Sequence, residues 1–188
     1  MKPELYTQDQ LDQLSDQDAI KGNVTVLSRM INSVIGDKPV GLAVVGKCGT
    51  GKSVTACSLK PEMVGGADIV HFPWRWNSDA IKYEKPTIVV LHEADCHQDY
   101  ELPISVFDTH IYTHDDYFAR QCSLMAERTA AHIEKLKGNL GPRSAVIALF
   151  QVENDVPANM RIASPYALFK RTGTGMAELT IVSRYGRQ

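Results

Sequence analysis

The chain has 188 residues, enough for one compact domain and too few for two ordinary ones. A hydrophobic share of 44% and a charged share of 22% predict a buried core and exclude a disordered chain. The net charge of -2 excludes a wholesale basic coat for nucleic acid, although the charge is uneven. An acidic start (Lys2 against Glu4, Asp9, Asp12, Asp16 and Asp18) contrasts with a basic end (Arg161, Lys170, Arg171, Arg184 and Arg187 against Glu178). The longest nearly apolar runs, Thr87–Leu91 and Ala145–Phe150, fall far short of the roughly 20 residues of a membrane helix, so no membrane insertion is expected. Met1-Lys2-Pro3-Glu4 leads into acids and glutamines, which predicts no secretory signal. Cys48, Cys57, Cys96 and Cys122 have no paired spacing and suit reduced thiols in a cytosol.

Residues 6–18 are polar and predict a short exposed helix or an arm. From Ile20 the positions Val24, Leu27, Met30 or Ile31, and Val34 repeat every three or four residues, one face of a helix closed by Gly36 and Pro39. Val40–Val45 is short, β-branched and bounded by glycine, so it reads as a buried strand. A glycine-rich turn follows, then a helix from Lys52 to Leu59 that stops before Pro61. Further strands fit Asp68–Phe72 and Thr87–Leu91. A long helix is predicted from Asp115 to Gly138, on the spacing of Phe118, Cys122, Met125, Thr129, Ile133 and Leu136. A fourth strand fits Ser144–Gln151. Tyr166–Lys170 and Glu178–Ser183 flank Thr172-Gly173-Thr174-Gly175, which has hairpin chemistry. Strands alternating with helices predict an α/β layered domain with a mainly parallel sheet.

Gly46-Lys47-Cys48-Gly49-Thr50-Gly51-Lys52-Ser53 fits G-x-x-x-x-G-K-[ST] at every position, between a predicted strand and a predicted helix. Glycines let the backbone turn tightly and offer several N–H groups to one anion. A helix start adds partial positive charge at the same point. Lys52 would bridge the β- and γ-phosphates, and Ser53 would place its hydroxyl on Mg²⁺, a hard cation that favours oxygen. The chain here resembles the P-loop NTPases. The resemblance implies a three-layer α/β P-loop fold with a mainly parallel central sheet, ATP and Mg²⁺ as cofactors, and hydrolase activity. Residues 37–188 would form that domain, behind an acidic helical segment at 1–36.

Thr87–Leu91 runs into His92-Glu93-Ala94-Asp95. A buried strand ending in acids resembles the second NTPase motif, usually apolar residues followed by Asp-Glu. There the Asp holds the metal's water and the Glu polarises the attacking water. Here His92 stands at the Asp position, and a neutral imidazole is a poor Mg²⁺ ligand. Glu93 keeps the catalytic position, and Asp95 is the candidate for the missing metal contact. His92, Cys96 and His97 place three soft ligands close together, but no fourth stands at a known spacing, so zinc is not expected.

Ser144–Phe150 ends in Gln151, a polar amide suited to sensing a γ-phosphate or orienting water. The order of phosphate loop, His-Glu strand, long helix and apolar strand ending in Gln, followed by Val156-Pro157-Ala158-Asn159-Met160-Arg161, resembles the FtsK–HerA division of DNA pumps, conjugation ATPases and viral genome-packaging ATPases. The resemblance implies a homo-oligomeric ring with nucleotide at subunit boundaries and DNA in the centre. It also implies a capsid or transfer complex as partner, and a place in the cytoplasm or a viral particle. An arginine from a neighbour commonly completes such sites. Arg143, Arg161 and Arg171 are the candidates, Arg161 first. Trp74-Arg75-Trp76 offers indoles and a guanidinium for stacking on bases, for a subunit contact or for internal packing.

Two other classes compete with the motor. Gly-Lys-x-Gly-x-Gly-Lys-Ser resembles the deviant loop of partition ATPases, but those want an Asp at the end of the second strand, where this chain reads His71-Phe72-Pro73-Trp74. A small-molecule kinase needs an arginine-rich lid, and residues 98–113 contain no arginine.

Overall fold

The computed structural model describes residues 6–15, 17–72, 81–92, 94, 127–151, 156–157, 160, 165–171 and 177–182. Helix α1 (Gln8–Ser15) precedes α2 (Asp18–Val34); strand β1 (Val40–Val45) leads to α3 (Lys52–Cys57), a short 3-10 turn (Pro61–Val64) and β2 (Asp68–Phe72). Next come β3 (Thr87–Leu91), a helical stretch over 127–138 (α4), β4 (Ala145–Phe150), β5 (Tyr166–Lys170) and β6 (Glu178–Val182).

The strands form one six-stranded sheet in the order β2-β3-β4-β1-β5-β6. All neighbours pair in parallel except β5 with β6, which run antiparallel, from Tyr166 opposite Val182 to Lys170 opposite Glu178. The fold is therefore α/β with a mainly parallel sheet, as the alternating pattern predicts. The loop strand β1 lies inside the sheet, paired with β4 over six residues and with β5 beyond it.

Period-two alternation sends successive residues to opposite faces and divides the core. Leu42, Val44, Ile88, Val90, Ile147 and Leu149 pack with Ile20, Leu27, Met30 and Ile31 of α2 and with Val54 and Ala56 of α3. Ala43, Val45, Val89, Leu91, Val146 and Phe150 pack on the other face with Ile133 and Leu136 of α4. Covered on both sides, β3 and β4 are buried at every residue, which explains their unbroken apolar sequences. The outer strands β2 and β6 are partly exposed and carry polar residues.

Some boundaries differ from the sequence expectation for local reasons. α2 begins at Asp18 because its first turn is polar and adds nothing to the apolar repeat. β4 begins at Ala145 because Ser144 closes the sheet by other means: its hydroxyl accepts from Thr87 N at 3.0 Å and its carbonyl accepts from Val40 N at 3.2 Å. The hairpin turn itself and the proposed helix start at Asp115 lie outside the described residues.

The N-terminal segment is tied to the far edge of the sheet by one buried side chain. Asn23 of α2 donates from Nδ2 to Ala177 O at 3.0 Å and accepts from Leu179 N at 2.8 Å. It thereby supplies β6 with the partners that a further strand would give. Removing it leaves two buried backbone groups unpaired, at a cost of about 1–3 kcal/mol for each. Asn23→Ala is expected to lower stability by that order, read as a reduced urea midpoint with unchanged slope; an unshifted midpoint would exclude the clamp.

Candidate functional site

Because β1 to β5 are parallel, their carboxyl ends share one edge of the sheet, the edge where open α/β sheets collect ligands. β1 reaches it at Val45, and Gly46 N donates to Phe150 O at 3.0 Å, carrying the β1–β4 ladder into the loop. A side chain has no room at this point. A Cβ on Gly46 would lie 2.7 Å from Phe169 Cβ and 2.7 Å from Thr50 Oγ1. Gly49 and Gly51 take φ values of 74° and 91°, left-handed conformations that a residue with a Cβ adopts only at a cost.

Within the turn, Thr50 donates twice to Lys47 O, from N at 3.3 Å and from Oγ1 at 2.8 Å. Thr50 is buried, while Lys47, Cys48 and Gly49 form an exposed rim. α3 then starts at Lys52, with Ser53 in its first turn. The Lys52 ammonium donates to Gly46 O and, at 3.2 Å, to Lys47 O, so it is folded back over the start of the loop. α3 stops at Cys57, short of the expected Leu59. Six residues sum few peptide dipoles, so attraction for an anion falls chiefly to loop N–H groups and Lys52.

A cleft of ≈ 480 Å³ opens beside the loop, with Lys47, Cys48, Thr50, Gln151 and Arg171 on its walls and Phe169 beneath. Gln151 arrives there because β4 pairs with β1 in register, Phe150 opposite Val45. Arg171 follows β5, the neighbour of β1 on the other side. Arg143 precedes β4 and so stands at the opposite edge of the sheet, where its N donates to Gly36 O at 2.8 Å. Glu93, Asp95 and Arg161 lie outside the described residues, as do Trp74, Arg75, Trp76, Cys96 and His97.

At the end of β3 the structure brings together residues that the sequence left apart. His92 is 1% exposed, and its Nε2 lies 3.1 Å from Nδ1 of His71 on β2. Cys57, the last residue of α3, brings its Sγ to 3.9 Å from the same His71 nitrogen. Burial pulls the His71 pKa down; burial and the neighbouring His71 pull His92 to about 3. Burial pushes the Cys57 thiol up to about 11. Both imidazoles are therefore neutral and the thiol protonated near neutral pH. His92 engages His71, and within the octet Ser53 carries a hydroxyl of the oxygen type that a hard cation takes. No local spacing in the sequence marks Cys57 or His71; β2 must lie beside β3 before they meet.

Comparison with protein-family models and with curated proteins returned no match. The loop geometry yields a direct expectation. Gly46→Ala forces Phe169 or Thr50 to move, an overpacking cost of about 1–3 kcal/mol. It should lower the melting temperature and open the Thr50–Lys47 turn, read as faster amide exchange at Thr50; unchanged exchange and stability would show that the loop has spare room.

Proposed function

We propose that the chain is a Mg²⁺-dependent ATPase of the P-loop class, with that class's three-layer fold, working as a homo-oligomeric motor that moves or packages DNA. One observation carries the reading. The Gly46–Ser53 octet closes at the end of an interior strand with the Lys52 ammonium over its start, and Gln151 and Arg171 line a cleft beside Gly46, Lys47, Cys48 and Thr50.

The residues present fit a bound triphosphate. The loop approaches closely because Gly46 has no side chain, and its rim is exposed. Loop N–H groups and Lys52 would hold the phosphates, and Ser53 would hold Mg²⁺, which neutralises phosphate charge when bound. β4 separates β1 from β3, so their ends stand two strand spacings apart, roughly 10 Å. That interval suits a terminal phosphate and a water, with Gln151 between and Glu93, next in the chain after His92, as the group that polarises the water. Asp95 is the second proposed metal contact. Arg161 is proposed to reach the site from a neighbouring subunit, whereas Arg171 lines the cleft within its own chain.

The DNA-motor assignment rests on the order of elements that resembles the FtsK–HerA division. A capsid or transfer complex is the corresponding partner. Among the described residues no helix is long and apolar enough to cross a membrane.

ATP turnover with Mg²⁺, measured with and without duplex DNA and alongside sizing chromatography, tests the proposal. Turnover should rise with DNA, and the protein should run as an oligomer. Lys52→Ala should abolish nucleotide binding or turnover. Glu93→Gln should bind ATP yet hydrolyse it on the order of 10²–10⁴-fold more slowly. No affinity for ATP or GTP in the presence of Mg²⁺ would overturn the reading. Turnover indifferent to DNA, with ATP driving only dimerisation, would replace the motor by a partition switch, and transfer to a small acceptor would replace it by a kinase.

A further inference from the structure

We propose that Cys57, His71 and His92 form a binding site for a borderline-soft divalent transition metal, zinc foremost, one helical turn from the phosphate loop. The three donors come from three elements: the end of α3, strand β2 and the residue after β3. Their ligand atoms all lie within 4.8 Å of one another.

Zinc geometry can be compared directly with these distances. Zn–N near 2.0–2.1 Å and Zn–S near 2.3 Å, at tetrahedral angles, put two nitrogens about 3.3 Å apart and a nitrogen and a sulfur about 3.6 Å apart. The chain holds His71 Nδ1 and His92 Nε2 at 3.1 Å, and His71 Nδ1 and Cys57 Sγ at 3.9 Å. Shifts of a few tenths of an ångström bring these two pairs to the ligating distance, and the third pair, Cys57 with His92, closes to it from within 4.8 Å. A hydrogen bond between the imidazoles accounts for the first contact alone. The Cys57 thiol approaching the same nitrogen adds a third donor to the pair.

The donor set also selects the metal. Among the described residues it holds two imidazoles and a sulfur and no carboxylate, which suits zinc, cobalt or copper and disfavours magnesium. On binding, the Cys57 thiol yields its proton to solvent and a thiolate–metal bond forms, with no change of oxidation state. The three described ligands fill three of four tetrahedral positions.

Cys57 and Ser53 are four residues apart and share a face of α3. A metal at Cys57 would fasten the helix that carries Lys52 and Ser53 to the ends of β2 and β3. The site does not depend on the nucleotide reading, since none of its three ligands belongs to the octet.

Cobalt titration of the full, metal-free chain tests the proposal without nucleotide. One Co²⁺ per chain should bind with a thiolate-to-cobalt charge-transfer band, and Zn²⁺ should displace it and raise the melting temperature. Cys57→Ser should remove the band. His71→Ala and His92→Ala should each weaken binding by at least about 100-fold, more than the loss of a group behind a ligand. A variant keeping only Cys57, made by Cys48→Ser, Cys96→Ser and Cys122→Ser, should retain the band even if Cys57→Ser fails to fold. Lys52→Ala should also retain it, which separates this site from the triphosphate proposal. Absence of the band in the unmutated chain, or a band that survives Cys57→Ser and disappears with Cys96→Ser, would overturn the assignment.

Discussion

The missing side chain at Gly46 is the constraint on which the loop depends. β1 is enclosed by parallel strands on both sides, so its chain leaves the sheet only at the carboxyl edge. There Phe169 of β5 and Thr50 of the returning loop already fill the space that a Cβ would take. With hydrogen alone at that carbon, the backbone keeps its last ladder bond to Phe150 and turns at once. Thr50 then closes the turn on Lys47, and Lys52 is delivered back over Gly46. The resulting rim of exposed backbone beside a cleft is a surface suited to a phosphate chain, which is the physical core of the proposed function.

The sheet supports this arrangement by being buried on both faces. Alternate residues of β1, β3 and β4 feed two separate clusters, one under α2 and α3 and the other under α4. Shifting any of these strands by one residue would exchange its two sets of side chains, so the register of the strand ends is firmly held. That register decides what meets at the carboxyl edge: Gln151 beside the loop, and His71 of β2 with His92, the residue after β3. The fold thus creates two chemically different neighbourhoods a short distance apart. One presents backbone amides, an ammonium and a hydroxyl, suited to hard anions and cations. The other presents nitrogen and sulfur in partial burial, suited to softer metals.

His92 links these neighbourhoods. At the position where the resembled motif carries an Asp, the chain has an imidazole that burial keeps neutral and that engages His71. Its contribution is therefore to the cluster with β2 and α3, and in the proposed function Mg²⁺ would fall to oxygen donors such as the Ser53 hydroxyl. An imidazole in place of a carboxylate gives this strand end a softer donor.

Much of the architecture was legible in the residues. Val40–Val45, Asp68–Phe72, Thr87–Leu91 and Tyr166–Lys170 occur at the bounds their apolar runs and flanking glycines or prolines predict. Their patterns are strong because strands buried on both faces must be apolar throughout. The octet was equally plain, since the tight turn and the ammonium have to be adjacent in the chain. The 3-10 turn at Pro61–Val64 and the early end of α3 were not legible, because neither alters the periodicity. Nor was the role of Asn23, whose partners Ala177 and Leu179 are 154 and 156 residues away. The sequence alone thus determined the strands, the helix faces and the loop, all set by near neighbours along the chain. Only the tertiary structure decided that Cys57, His71 and His92 converge and that Arg171 and Gln151 share the loop's cleft, because strand order and register, not spacing along the chain, determine which ends lie side by side.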